Sequence, residues 1–428
     1  MSTPAHSDLA KVFTDVASNY RGTSDIDLHA TYREMRANSP VLQDNFMARL
    51  GVPTIAGLDA NRPTFTLFKY DDVMAVMRDA GTFTSGFIAE GLGAFFDGLI
   101  LTAMDGDAHK SMRSLLQPVF MPETVNRWKE TRIDRVIREE YIKPMVAKKG
   151  ADLMDFALYF PIRVIYSLIG FPEDRPEQIE QYAAWALAIL AGPQVDPERA
   201  AAARGAAMHA AQALYDVVKD VVAERRAAGA SGASGDDLIS RLIAVEYQGR
   251  SLDDHEIATF VRSLLPAASE TTTRTFGTLM SLLLQNPDEL ERVRNDRSLV
   301  NKAIDEAVRF EPVATFKVRQ AAKDLEIRGV PIPKGAMVQC IVTSANRDED
   351  AFENADKFDI DRKPKPSFGF GFGPHMCIGQ FVAKTEINCA LNAILDLMPN
   401  IRLDPDKPGP QIVGAQLRGP HYLHVLWD

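Results

Sequence analysis

The stretch FGFGFGPHMCIG, residues 368–379, sets one of only three cysteines into a glycine-dense loop. Cys377 has His375 two places before it and Gly379 two places after. The loop is not a dinucleotide fingerprint, because Gly371 and Gly373 are not followed by a glycine at 376, and no lysine or hydroxyl residue completes a phosphate loop. Nor is it a structural zinc site, since one Cys and one nearby His lack a second ligand pair at zinc spacing. What remains is a single thiolate presented to something large, with small residues that let the backbone approach closely. A thiolate buried without compensation would be protonated. Stabilisation is therefore expected from backbone N–H groups after Cys377 and from the positive end of the helix that starts there.

A flat metal complex over the loop explains both the glycines and the thiolate, and iron in a heme held by one cysteine is the leading instance. On these residues the sequence resembles the cytochrome P450 family. Its signature is a Phe, a Gly three residues on, a Cys four after that and a Gly two later, here Phe370, Gly373, Cys377 and Gly379. The resemblance implies a cofactor, heme b (iron protoporphyrin IX), with Cys377 as the proximal ligand of its iron. It also implies that Phe370 packs by the sulfur and that His375 hydrogen-bonds a heme propionate.

Distant motifs agree. EAVRF sets Glu306 and Arg309 three apart on one helical face, able to bond each other and a third group. The pair resembles the family's structural Glu-x-x-Arg motif, which is tied to a basic residue ahead of the cysteine loop. Lys357, in NADKFDIDR, is taken as that residue, keeping the charge without the guanidinium fork. DAHKSMR sets His109 and Arg113 at i and i+4, again on one face. The resemblance implies that both reach the heme propionates, with Arg319 as a third cationic contact and Lys317 as a further one. Such donors around two carboxylates form a physically sensible clamp.

The segment SLLPAASETTTRTFG, residues 263–277, bears on oxygen chemistry. Pro266 inside a helical pattern removes an N–H, frees the Arg262 carbonyl and is expected to kink the helix. Ala267, Ala268 and Thr271 follow on one face with Leu264 a turn earlier, leaving room for a diatomic molecule. The segment resembles the family's oxygen-activation motif, Ala-Gly-x-Glu/Asp-Thr, with Ala268 in place of glycine. That implies that Thr271 holds water and hydrogen-bonds the oxygen being activated, while Glu270 relays protons from solvent. O–O cleavage needs two protons, and thiolate donation pushes electron density into that bond. The plain alternative for Thr271 is back-bonding to the carbonyl four residues before it.

Hydrophobic oxidation needs a dry cavity. By position in the family its lining is expected from Phe87, Ile88, Leu92, Leu99 and Ile100, from Leu264 and Ala268, from Ala314, Thr315 and Phe316, and from Gln416 or Leu417. The lining reads as mostly apolar, with no fixed charge for an acidic or cationic substrate. The function implied is a monooxygenase that inserts one atom of O2 into a hydrophobic small molecule by hydroxylation or epoxidation. The chain ends 51 residues after Cys377. No fused reductase domain is therefore expected, and electrons are expected from a ferredoxin and an NAD(P)H-dependent ferredoxin reductase. A basic patch including Lys110, Arg113 and Lys384 would steer that acidic partner. The alternatives are a peroxide-driven hydroxylase and a non-catalytic heme-binding sensor.

The rest of the chain fits one domain. Its 428 residues are 46% hydrophobic, enough for a large core. Three cysteines form no disulfide framework and favour a reducing, cytoplasmic setting. A net charge of −10 argues against nucleic-acid binding. No 18-residue apolar stretch marks a membrane span. TFTLF, residues 64–68, reads as a strand and DDVMAVMRD, residues 71–79, as a helix, followed by a long Gly- and Phe-rich loop from Thr82 to Ile100. Residues from about 107 to 310 read as almost wholly helical. LEIRGVPIPKG reads as a hairpin, AMVQCIVTS as a strand, and a last helix runs from the cysteine loop to about Leu397. The expected fold class is mainly α with small β-sheets, a single large helical domain spanning residues 1–428, of the cytochrome P450 fold. The first sixty residues carry nothing diagnostic.

Overall fold

Asp253 opens the longest helix, Asp254–Gln285, with a capping box. Its carboxylate accepts the Glu256 N–H at 2.8 Å while the Glu256 carboxylate accepts the Asp253 N–H at 3.1 Å. Two of the helix's first free donors are thereby satisfied, an arrangement that contributes about 1 kcal/mol. The helix then runs unbroken through Pro266, so the expected kink does not interrupt it. A proline removes a single rung, and burial of the flanking Val261, Leu265 and Phe276 holds the turns on either side. Phe276 meets the edges of Phe156 and Phe160 on the neighbouring helix Leu153–Ile169, both at 5.4 Å between ring centroids. Gly277 permits this approach: a Cβ there would lie 2.5 Å from the Met154 sulfur.

The structure, a computed structural model, describes residues 4–22, 26–53, 62–97, 99–172, 176–194, 196–229 and 235–428. Helices Leu153–Ile169, Pro176–Leu190, Pro197–Ala227 and Val300–Phe310 and the last helix, Gln380–Leu397, pack around the long one, and helix Gly106–Leu116 carries His109 and Arg113. A five-stranded sheet lies to one side, in the order Val41–Leu42, Thr64–Leu67, Met337–Ile341, Phe316–Ala321, Phe83–Thr84. Its one parallel pairing joins Thr64–Leu67 to Met337–Cys340. The expected hairpin pairs Leu325–Ile327 with Val330–Ile332. Between Thr82 and Ile100, where a loop was expected, the chain forms the helix Ile88–Phe96. Burial of Phe95 and Phe96 organises a sequence that glycines would otherwise leave irregular.

The N-terminal residues join the same core. Leu9, Phe13, Val16 and Tyr20 are buried in the cluster that extends to Trp427. Helix Leu28–Asn38 is fastened by Arg36, which donates to the Ser344 hydroxyl at 3.2 Å and to Glu349 at 2.7 Å.

Glu306 and Arg309 form a bidentate buried pair, at 2.7 and 2.8 Å. The third partner corrects the sequence reading: it is Arg362, whose Nε donates to both Glu306 oxygens at 3.1 and 3.3 Å. Lys357 offers only its backbone carbonyl, accepting from Arg309 at 3.1 Å and from Arg362 at 2.9 Å. The turn at 357–362, pinned where the Asp359 N–H donates to Glu306 at 3.0 Å, brings the guanidinium back over the carboxylate. Arg362→Ala is expected to cost about 3 kcal/mol, because it strands part of a buried charge network. Lys357→Ala should stay within about 0.5 kcal/mol. Urea unfolding of the two variants checks this; equal losses would restore Lys357 to the triad.

Candidate active site

The cysteine loop is built by backbone bonds. The Phe368 N–H donates to the Asn346 side chain at 2.9 Å, and the Cys377 N–H to the Phe370 carbonyl at 2.7 Å. Gly373 has φ +70°, and a Cβ there would stand 2.4 Å from the Met77 carbonyl oxygen. This glycine therefore serves the seating of the loop on helix Tyr70–Arg78. The Cys377 thiol faces a cavity of about 510 Å³, with Phe370 and Gly379 in the same wall. Burial pushes its pKa up, and the N–H groups of Gly379 and Gln380, Lys317 and Arg113 only partly offset this. The loop by itself does not favour the thiolate. A coordinated cation is what would ionise it.

Arg113, Arg319 and His375 line the cavity, and His109 packs against His375. The His109 and His375 rings lie 4.2 Å apart, and the Nε2 atoms of both are buried without a hydrogen-bond partner among the described residues. Arg319 donates to its neighbour's carbonyl at 2.8 Å, and Arg113 to the Gln117 side chain at 3.0 Å. Neither guanidinium has a carboxylate in ion-pair contact among the described residues. Burial and the charges of Arg319, His109 and Arg113 lower the His375 pKa to about 3. Such crowding of cationic and orphaned donors lacks an anion. Two heme propionates supply that chemistry, and with a thiol in the same cavity wall the residues fit a heme.

The long helix forms the opposite wall. Leu264, Ala267, Ala268 and Thr271 all face the cavity. The Thr271 hydroxyl donates to the Ala267 carbonyl at 2.9 Å, the back-bond allowed for above, which leaves its lone pairs toward the cavity. Glu270 is not part of the wall. It is buried behind the helix, accepting from Arg274 Nε at 2.5 Å, and its second oxygen has no partner among the described residues. Burial raises its pKa, with Arg274 opposing.

Of the other expected lining residues, Phe87, Ile88, Ile100, Ala314, Phe316 and Gln416 face the cavity. Leu99, Thr315 and Leu417 do not. The Thr315 hydroxyl is turned to the Ala415 carbonyl at 2.5 Å. Leu417 bridges Ala314 and packs into the core, while the Leu99 N–H is drawn to the Phe96 carbonyl at 2.9 Å. The Leu92 side chain lies outside the described residues.

Two charged residues in the wall, Glu311 and Glu386, escaped the sequence reading. Glu311 accepts from Arg347 and Arg418, both at 2.6 Å, and bonds His29 at 2.9 Å. These contacts hold its carboxyl far below the usual range despite burial. Burial raises the Glu386 pKa well above normal. Its spacing from Val382 and Ala383, one helical turn, was the available signal. Lys317, expected with the propionate donors, also lines the wall.

A thiol beneath a cavity edged by carboxylate-binding donors, facing a helix of small residues and a threonine, defines a heme-thiolate protein. The chain belongs to the cytochrome P450 family: the family model described as Cytochrome P450 matches residues 57–398. Erythromycin C-12 hydroxylase from Saccharopolyspora erythraea is 33% identical over 92% of this chain and 92% of its own. Mycinamicin IV hydroxylase/epoxidase from Micromonospora griseorubida is 34% identical over 76% of this chain and 79% of its own. The crystal structure of the cytochrome P450 enzyme CYP109B1 from Bacillus subtilis superposes with a TM-score of 0.78 at 30% identity, covering 93% of this chain and 98% of that one. The protein is a heme-thiolate monooxygenase. Among the described residues no helix is long and apolar enough to cross a membrane.

Proposed function

We propose that this enzyme uses heme b to insert one atom of O2 into a hydrophobic small molecule, in the cytoplasm, with electrons from a ferredoxin and an NAD(P)H-dependent ferredoxin reductase. The observation that carries the reading is the Cys377 thiol and the Thr271 hydroxyl sharing one largely apolar cavity. The heme, when bound, supplies the binding and reduction of dioxygen. The chain does the rest. Cys377 would hold the iron, while His109, Arg113, Arg319 and His375 hold the carboxylates and fix the orientation of the ring. Phe87, Ile88, Leu264 and Phe316 exclude water around the substrate. Thr271 would hold an ordered water on its lone pairs and pass protons inward, and Glu270 would recharge it by swinging from Arg274.

Of the cations expected to face the electron donor, Arg113 turns into the cavity. Lys110, highly exposed beside Asp107 at 3.3 Å, and Lys384, paired with Asp305 at 2.5 Å, remain for that role. The test is turnover: substrate-dependent NADPH oxidation with a ferredoxin and its reductase is expected, and product formed as fast with hydrogen peroxide alone would overturn the electron-transfer reading. Arg274→Gln adds a pH test. The Arg274 charge lowers the Glu270 pKa, so its loss raises that pKa. The acid limb of the pH–rate profile is then expected to move to higher pH, and an unmoved limb would remove Glu270 from the relay.

A further inference from the structure

Glu270 is held by one oxygen only. Arg274 Nε and Nη2 both lie 2.5 Å from its Oε1, while Oε2 is buried without a hydrogen-bond partner among the described residues. Both side chains are 1% exposed, so the place of the carboxylate is set by whatever holds the guanidinium.

Two segments remote in sequence press on Arg274. Phe13, on helix Pro4–Asn19, turns the face of its ring to the guanidinium, whose carbon lies 4.8 Å from the ring centroid. Gly419 runs so close to the stem that a Cβ there would stand 2.9 Å from the Arg274 Cβ and 3.1 Å from its Cγ. A desolvated guanidinium gains from an aromatic face, and gains more than it would in water. The ring is itself fixed. It is buried in the core with Leu9 and Val16, and just beyond its helix the Tyr20 and Arg21 carbonyls accept the Gln416 and Ala415 N–H groups at 3.3 and 3.0 Å. The Tyr20 hydroxyl donates to the Leu190 carbonyl at 2.9 Å. Phe13 lies outside residues 57–398, the part matched to the family.

We propose that Phe13 is a positioning residue for the reaction: its ring holds Arg274, and through Arg274 the Glu270 carboxylate, which makes the N-terminal helix part of the proton-delivery apparatus. The proposal rests on the reading of Glu270 as the relay and adds the element that sets its geometry. Among the described residues, Tyr20 and His421 are the other titratable groups that sense this pair. Burial, then Glu270, raises the tyrosine pKa, so the phenol stays neutral; burial, Arg274 and Arg21 lower that of the histidine. Since the Arg274 charge lowers the Glu270 pKa, a looser guanidinium must raise it.

The test follows the Glu270 carboxyl itself in the full-length, heme-loaded protein. Its C=O infrared band is the one that Glu270→Gln removes, and its titration midpoint is read in wild type, Phe13→Leu, Phe13→Met, Phe13→Tyr, Arg274→Gln and Phe13→Leu with Arg274→Gln. All carry His421→Gln, so that no imidazole titrates beside Arg274. Phe13→Leu and Phe13→Met are expected to raise the midpoint by about half a pH unit, and Phe13→Tyr, which keeps the ring, to leave it at the wild-type value. With Arg274→Gln already present, Phe13→Leu should add nothing. An unmoved midpoint in both ring-less variants would overturn the proposal. So would an equal shift in the Arg274→Gln background, which would make Phe13 ordinary core packing. If the midpoints move as expected while the acid limb of ferredoxin-driven NADPH oxidation stays in place, it is the relay reading that fails, and the hold of Phe13 on Arg274 stands.

Discussion

Cys377→Ala is expected to abolish the thiolate-type, red-shifted Soret band of the reduced carbon monoxide complex and to remove monooxygenase activity entirely. The loop should survive the change, because its shape depends on backbone bonds: the N–H of residue 377 to the Phe370 carbonyl at 2.7 Å, and that of Met376 to the Gly373 carbonyl at 3.0 Å. Gly373 still rests on Met77, and the side chain removed opens onto the cavity rather than filling the core. A folded protein without the cysteine ligand is therefore the anticipated product. Heme still held by His109, Arg113, Arg319 and His375 would show a spectrum without thiolate character. An unchanged band would place the iron on another side chain, and the whole assignment of the site would fall with it.

Thr271→Ala should separate binding from chemistry. The hydroxyl lines the cavity, and its one hydrogen bond is the back-bond to Ala267 at 2.9 Å. A back-bond of this kind adds little to helix stability, so folding should change by less than about 0.5 kcal/mol. Heme content and ligand affinity should likewise stay near wild type. Product per NADPH consumed is expected to fall on the order of tenfold or more, because a positioned proton donor contributes at least that much. The missing electrons should reappear as hydrogen peroxide or water. Quantifying NADPH, product and peroxide together checks the balance, and fully coupled turnover by this variant would leave Thr271 with only its helical back-bond.

Much of the site was readable because its elements are local. The cysteine with its flanking glycines, the Glu306 and Arg309 pair, and His109 with Arg113 each place their side chains by spacing within one loop or helix. The hairpin at 325–332 and the helix after the cysteine loop followed from local pattern in the same way. What escaped the reading depended on contacts between segments. Arg362, five residues beyond Lys357, reaches Glu306 because the 357–362 turn folds back upon it. Glu270 and Thr271 are neighbours in sequence, yet successive helical positions diverge by about 100°. One faces the cavity, while the other is buried against Arg274. The glycines between 82 and 100 suggested irregular backbone, until packing of Phe95 and Phe96 imposed a helix there.

The amino-acid order on its own determined the family and the mainly helical class, because the motif of the cysteine loop and an amphipathic period are encoded over spans of a few residues. Only the tertiary structure decided which cation completes the Glu306 network, that Glu270 lies behind the oxygen-side helix, and that Glu311 and Lys317 line the cavity wall. Those outcomes follow from side-chain direction and burial, where the energy of a charge is set by whatever the fold brings beside it.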